Sequence, residues 1–334
     1  MNVFAKGLAA ATLVASLAAS TAMAETSEIN FGIISTESSQ NLKTVWDPFL
    51  ADMSEQTGLK VNAFFASDYA GVIEGMRFGK VDVAWFGNKS AMEAVDRSKG
   101  EVFAQTVDVE GNPGYWSVLI TQADNDKLNS LEDVLKCDKS LDFGIGDPNS
   151  TSGFLVPTTF IFAKNGVRPQ DCFKTVRNAN HEANAMATAN GQVDVAANNT
   201  ENLRRLEVTA PEARKKIKVI WQSPLIPSDP LVWRADLDED AKRKVYTFIM
   251  SYGRLGTPEE VASARQVLSG LGWAPFRPSS DAQLYPIRIM EITKQEARIS
   301  AADNMSDDEK KAELEKLASE KDKIQKLMDT VPQS

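Results

Sequence analysis

The sequence predicts an α/β protein of two doubly wound lobes joined by a two-crossover hinge, with a long helix at its end. Three observations predict it. The chain repeats itself once: Phe31-Gly32-Ile33 recurs as Phe143-Gly144-Ile145, and Gly79-Lys80-Val81-Asp82-Val83-Ala84 recurs as Gly191-Gln192-Val193-Asp194-Val195-Ala196, both at an offset of 112 residues. Internal repeats of this kind mark duplicated structural units. Each copy alternates short apolar runs with helical spacings, the pattern of mostly parallel sheets covered by helices. Finally, two extended segments cross between the copies. Gly114–Ile120 runs one way, and Lys218–Trp221 through Leu231–Trp233 returns, broken by Pro224, Pro227 and Pro230. Two crossings between lobes make a hinge, which permits closure around a ligand.

The first element is not part of the working protein. Lys6 is the only charged side chain in residues 1–24, an apolar run follows it from Leu8 to Ala19, and Ala22-Met23-Ala24 forms an A-x-A cleavage site. This is a secretory signal peptide. The run is too short to span a bilayer, and no later stretch is long and apolar enough. The mature chain is expected to start at Glu25, soluble and periplasmic. Loss of Lys6 takes the formal charge from −9 to −10. Such an acidic chain is a poor partner for nucleic acid.

Lobe one is expected over 25–117 and 226–303, lobe two over 118–225, and a C-terminal amphipathic helix over 304–334. The repeat pairs Ser38 with Ser150, Tyr69 with His181, Trp85-Phe86 with Ala197-Asn198, and Lys89 with Glu201. In lobe one a helix starts near Ser67-Asp68-Tyr69. Its counterpart in lobe two starts at Asn180-His181, where Asn180 is a suitable N-cap. Trp85 and Phe86 follow a strand and line either the core or the cleft.

Within lobe two, residues 141–153 read Leu-Asp-Phe-Gly-Ile-Gly-Asp-Pro-Asn-Ser-Thr-Ser-Gly. A strand ends at Gly146, a turn follows through Asp147-Pro148-Asn149, and Ser150, Thr151 and Ser152 open an apolar segment with helical spacing. Free backbone N–H groups and the helix dipole make such a terminus an anion site, and three hydroxyls add donors. An ordinary Ser/Thr cap fits the same residues. His181, the only histidine, stands at a neighbouring helix start.

Cys137 and Cys172 are the only cysteines, and they flank this strand–helix unit. A strand out and a helix back return the chain to its starting end, so the two can meet as a disulfide outside the cytoplasm. Closing that loop stabilises by about 3–4 kcal/mol in the chain-entropy view; the alternative is two buried thiols. Beyond Asn304, Ser306-Asp307-Asp308-Glu309 has the form of a capping box. Leu314, Leu317, Ile324 and Met328 then give a narrow apolar stripe, interrupted by Lys321. This helix either packs on lobe one or forms a homodimer with a second copy.

Enzymatic readings are thin. HExxH, a cysteine–histidine metal cluster, a GxSxG elbow and a complete dinucleotide or Walker loop are all missing, so neither metal nor cofactor is expected. A Ser–His nucleophile from Ser150 or Ser152 with His181 is conceivable, and its class would be a secreted phosphoester hydrolase. Binding fits better. A phosphorus oxyanion needs a shell of donors, and helix N–H groups, Ser150, Thr151, Ser152, His181, Tyr69 and Tyr115 supply one. Glu201, after the second Val-Asp-Val-Ala strand, and Asp229, in Ser228-Asp229-Pro230, would repel an anion unless a cation lies between. A ligand with phosphonate at one end and ammonium at the other needs both features. Each acid also has a plain reading, Glu201 as a first-turn residue and Asp229 as a turn residue before proline.

Asp147-Pro148-Asn149-Ser150-Thr151-Ser152-Gly153, His181 and Asn190-Gly191-Gln192-Val193-Asp194-Val195-Ala196, with Ser35-Thr36-Glu37, resemble the phosphate/phosphite/phosphonate-binding proteins of ABC importers. The resemblance covers nearly the whole mature chain. It implies a type II periplasmic binding-protein fold and a periplasmic receptor that hands its ligand to a membrane permease. It implies that Ser150, Thr151, Ser152, His181, Tyr69 and Tyr115 hold the phosphonate. Glu201 and Asp229 are the positions that would take the amine of 2-aminoethylphosphonate. The Cys137–Cys172 pair is not part of the resemblance. Within this class, a receptor for phosphate or phosphite is the alternative.

Overall fold

The computed structural model describes residues 26–330; the signal-peptide reading of 1–24 lies outside them. In chain order the elements are β1 (Glu28–Ile33), α1 (Ser39–Thr57), β2 (Lys60–Phe65), α2 (Tyr69–Arg77), β3 (Val83–Trp85), α3 (Asn88–Arg97), β4 (Gly100–Asp108), β5 (Gly114–Tyr115) and β6 (Ser117–Gln122). Then come α4 (Leu131–Val134), β7 (Asp142–Ile145), two π-helical turns (Thr151–Leu155 and Thr158–Phe162), α5 (Pro169–Cys172), β8 (Thr175–Asn178), α6 (His181–Ala189), β9 (Val195–Asn199), α7 (Thr200–Thr209) and α8 (Pro211–Lys215). The chain returns through β10 (Ile217–Gln222), β11 (Ile226–Pro227) and β12 (Pro230–Arg234). It ends with α9 (Glu239–Ser251), α10 (Pro258–Leu271), β13 (Trp273–Pro278), α11 (Tyr285–Ser300) and α12 (Asp307–Thr330).

Lobe one holds a six-stranded sheet in the order β13-β4-β12-β3-β1-β2, and lobe two a five-stranded sheet in the order β10-β6-β9-β7-β8. The repeat is visible as the parallel triplets β3-β1-β2 and β9-β7-β8. The expectation of mostly parallel sheets needs correction. β12 pairs antiparallel with β3 and β4, and β6 pairs antiparallel with β9 and β10. The reason is the crossing itself: β6 and β12 each arrive from the other lobe and run against the strands they join.

Between the sheets lies a two-stranded ribbon, β5 against β11, with Tyr115 opposite Ile226 and Gly114 opposite Pro227. Only glycine fits at 114, because a Cβ there would stand 1.9 Å from the Ile226 carbonyl oxygen. The ribbon is the hinge.

The cores differ in kind. In lobe one, the rings of Phe31, Trp46, Phe49, Trp85, Trp273 and Phe276 pack edge-on or tilted against one another, the geometry aromatic quadrupoles prefer. In lobe two, Phe143, Phe162 and Phe173 form a smaller cluster beside the Cys137–Cys172 disulfide. α12 lays Leu317, Ile324 and Met328 on α11, and Lys321, which breaks its stripe, reaches Glu296 of α11 at 3.0 Å. The expected capping box is present, with Ser306 N donating to Glu309 and Glu309 N donating to Ser306 Oγ. No helix among the described residues is long and apolar enough to cross a membrane.

Candidate functional site

A cavity of about 470 Å³ opens between the lobes, beside the hinge. Ser150, Thr151, Ser152, His181, Tyr69, Tyr115, Glu201 and Asp229 all line it. The local fold explains how they meet. β7 ends at Ile145 and the turn brings Gly146 back against Gly153, with Gly146 N donating to the Gly153 carbonyl at 2.8 Å. A Cβ on Gly146 would stand 2.6 Å from Gly153 Cα, so the motif needs this bare backbone. Ser150 then caps the turn, its Oγ accepting from Gly153 N at 3.0 Å. Helical spacing in the sequence suggests an α-helix here. The structure winds Thr151–Leu155 as a π turn instead, with Leu155 N donating to the Ser150 carbonyl at 3.1 Å. The wider turn, held by the two-glycine contact, sets the three hydroxyl residues at the cavity wall. Single π turns of this kind recur at functional sites.

His181 is the first residue of α6, capped by Asn180. Its Nε2 lies 3.4 Å from Ser150 Oγ, 3.5 Å from Ser152 Oγ and 3.2 Å from Asn199 Nδ2. Burial pushes the imidazole down to about 4, so it is neutral at pH 7 and can serve as a hydrogen-bond donor without charge. Tyr69 opens α2 in the opposite lobe; burial, then the charges of Asp229 and Asp147, hold its phenol protonated, a donor at any physiological pH.

Part of the cavity lining is acidic, through Glu201 and Asp229. Tyr115 Oη donates to Asp229 Oδ1 at 2.9 Å, a pair brought together because Tyr115 is in the β5/β11 ribbon and Asp229 follows β11 by two residues. Burial raises Asp229 well above the usual carboxylate range, and the Glu201 charge adds to it. Burial also raises Glu201, to about 7, against the pull of Arg204 and Arg205. The buried Asp229 and the half-buried Glu201 face one cavity and carry a standing electrostatic cost that a cation relieves.

Several lining residues carry no motif of their own. Asn199 caps α7 and donates through Nδ2 to Ser152 Oγ at 3.0 Å. Thr36, Glu37, Asn202, Arg204, Arg205 and Trp85 also line the cavity. Trp85 does so while packing on Trp46 and Trp273, whereas Phe86 is wholly buried in the core. Among the described residues, six buried side-chain polar atoms lack a hydrogen-bond partner. Four belong to cavity residues: Trp85 Nε1, His181 Nδ1, Asn202 Oδ1 and Arg205 Nη1. Unpaired buried polar atoms are costly and concentrate where a polar ligand is received.

Residues 31–284 match the family model described as ABC transporter, phosphonate, periplasmic substrate-binding protein. The chain belongs to that family. It is a periplasmic substrate-binding component of a phosphonate ABC transporter. It is 57% identical over 299 residues to the phosphonates-binding periplasmic protein of Escherichia coli K12, covering 90% of this chain and 86% of that one. A solved binding-protein component of the Pseudomonas aeruginosa ABC phosphonate transporter superposes with TM-score 0.87 at 55% identity, covering 91% of this chain and 99% of that one. Prochlorococcus marinus PhnD1, solved with methylphosphonate, shares the fold at TM-score 0.69 and 22% identity, over 79% of this chain and 97% of that one.

Hydrogen bonds join the two lobes of this phosphonate-binding family member across the cleft. Glu182, from α6, accepts from Ser38 N at 2.7 Å and from Asn41 Nδ2 at 2.5 Å across the cleft. Thr151 Oγ1 accepts from Lys89 N at 2.8 Å, and Asp147 accepts from Tyr69 N at 3.3 Å. Hydroxyls and carboxylates of lobe two thus cover helix starts of lobe one.

Proposed function

We propose that the protein captures alkylphosphonates that carry an amine, 2-aminoethylphosphonate foremost, between its closing lobes and delivers them to the importer's permease. The observation that carries this reading is the polarity of one cavity. Its lining combines uncharged donors with two carboxyls, the buried Asp229 and the half-buried Glu201. Ser150, Thr151, Ser152 and His181 take the phosphonate oxygens from lobe two, and Tyr69 and Tyr115 from the other side, Tyr115 by turning its O–H from Asp229 to the ligand. Glu201 and Asp229 take the ammonium. A ligand that touches both lobes favours closure by its greater affinity for the closed form. The working units are lobe one (25–117 with 226–303) and lobe two (118–225), after a signal peptide at 1–24 directs the chain to the periplasm as a soluble receptor. It binds without turnover. A homodimer through α12 would have to use what the packing on α11 leaves, and Leu327 is the large apolar side chain of α12 that stays exposed among the described residues.

Titration calorimetry of the mature protein against 2-aminoethylphosphonate, methylphosphonate, phosphite and phosphate tests this. The aminophosphonate should bind tightest. Tightest binding of phosphate or phosphite would transfer the assignment to the alternative receptor. Release of product from a chromogenic aryl phosphoester would instead reveal a hydrolase.

A further inference from the structure

We propose that Arg204 and Arg205 are positioning residues that hold the cleft shut around whatever ligand it contains. Both lie on α7 in lobe two, and their partners lie in three separate segments of lobe one. Arg204 Nη2 donates to Asp108 Oδ2 at 2.6 Å and to the Gly272 carbonyl at 3.4 Å, and its Nη1 lies 3.5 Å from Glu110 Oε2. Arg205 Nε is 2.5 Å from Glu37 Oε1, and its Nη2 donates to the Leu271 carbonyl at 3.3 Å. Asp108 and Glu37 are buried, at 4% and 5% exposure, so these are not solvent-screened surface pairs.

The planar fork of arginine suits such a role. One guanidinium can bond a carboxylate and a carbonyl from different segments at once. Adjacent positions on α7 let one turn of helix span the loop after β1, the end of β4 and the end of α10. Asp108 does not line the cavity, so its contact with Arg204 serves the lobes rather than the ligand. Because apparent affinity scales with the population of the binding-competent state, a latch of this kind changes affinity by one factor for every ligand.

That common factor separates the proposal from its competitors. The inference relies on the phosphonate reading only for its probes, and the same variants can be read with phosphate if the wild type prefers phosphate. Stopped-flow tryptophan fluorescence suits the measurement, since Trp85 and Trp273 line the cavity. For Arg204→Ala, the dissociation rate should rise about tenfold for 2-aminoethylphosphonate and methylphosphonate alike, the size of one charge-assisted hydrogen bond. Asp108→Asn, made in the other lobe, should do the same. The double variant should be no worse than either single one, as a shared contact requires. Arg204→Lys should restore only part of the loss. The opposite outcomes overturn the proposal. If the arginines act merely as positive charge toward an anion, Asp108→Asn tightens binding and Arg204→Lys restores it fully. If they act only through neighbouring Glu201, the change is confined to the aminophosphonate. Additive effects of Arg204→Ala and Asp108→Asn would point to general damage.

Discussion

Lobe one and lobe two share a plan and use its first helix start differently. Ser38 and Ser150 occupy matching positions, 112 residues apart. Each caps the helical segment that follows the first strand of its repeat, β1 or β7. In lobe one that segment is a regular helix of 19 residues, and its start is already supplied with an anion. Glu182 of lobe two accepts from Ser38 N and from the Asn41 side chain. In lobe two the segment is wound as a π turn, and its hydroxyls face the cavity. The matching helix start is a contact between the lobes in one copy and part of the cavity wall in the other. The same divergence marks the second helix start. Lys89 of lobe one matches Glu201 of lobe two, both at the second position of their helices. Lys89 turns to Glu93 and Glu291 at 3.0 and 3.6 Å, while Glu201 faces the cavity. What a helix start does is therefore decided by what crosses the cleft to meet it.

The largest effect that can break the comparison concerns the cores. Lobe one relies on its aromatic cluster, and lobe two has a smaller one braced by a disulfide. Cys137→Ser with Cys172→Ser should cost about 3–4 kcal/mol, and differential scanning calorimetry should show lobe two unfolding ahead of lobe one. Unfolding in a single unshifted transition would mean that the bond braces nothing. Next in size is the acidic part of the lining. Glu201→Gln should weaken 2-aminoethylphosphonate binding by about a hundredfold, the scale of a lost hydrogen bond to a charged group, and leave methylphosphonate unchanged or slightly tighter. Equal losses for both ligands would remove the amine from this part. Smaller again is the contrast between the paired serines. Ser150→Ala should lower phosphonate affinity about thirtyfold, whereas Ser38→Ala should lower stability by about 1 kcal/mol as an ordinary cap loss. Equal effects of both on affinity would show that the two helix starts have not diverged.

Much of this was legible in the sequence, because it was written locally. The repeat, the strand periodicity, the helix start near Asp68, the cap at Asn180 and the capping box at Ser306 depend on neighbours within a few residues. The eight lining residues named from sequence share one cavity because each stands at a strand end or helix start, where an α/β sheet gathers its ligand groups. The remainder depends on distant partners. Helical spacing cannot distinguish an α from a π turn when the deciding contact is Gly146 on Gly153. Strand patterns mark β6 and β12 as the crossing segments but cannot reveal that they pair antiparallel with the strands they join. Asn199 reads as a plain N-cap, and nothing local marks Arg204, whose partner Asp108 is 96 residues away. For Asn199 one signal was available: it stands three residues after the second Val-Asp-Val-Ala, two residues before Glu201.

The smallest effect is a pH dependence, and it sharpens the difference between the donors and the acids of the cavity lining. Burial holds His181 down at about 4, so the donor wall stays neutral and unchanged between pH 6 and 8. Glu201 is raised to about 7, so in that range it passes from carboxylic acid to carboxylate. Its folded value lies above the unfolded one, so the ligand-free protein holds a proton there that the unfolded chain lacks between about pH 4.5 and 7. Stability from this group is therefore lost as pH rises through that window. An ammonium needs the carboxylate, so affinity for 2-aminoethylphosphonate should move the other way and rise. Both ligands carry a phosphonate that ionises in the same range, so the ratio of their affinities isolates the acids. Calorimetry at pH 6 and pH 8 should show the ratio of 2-aminoethylphosphonate to methylphosphonate affinity increasing by up to about tenfold. Binding of the aminophosphonate at pH 6 should also release protons, seen as a heat that varies with the ionisation enthalpy of the buffer. In Glu201→Gln the change in ratio should vanish, and proton release should fall to what the phosphonate's own ionisation supplies. A ratio that stays flat in the wild type would mean that the carboxyl pair is already ionised before the ligand arrives, and that the two parts of the lining differ in geometry alone.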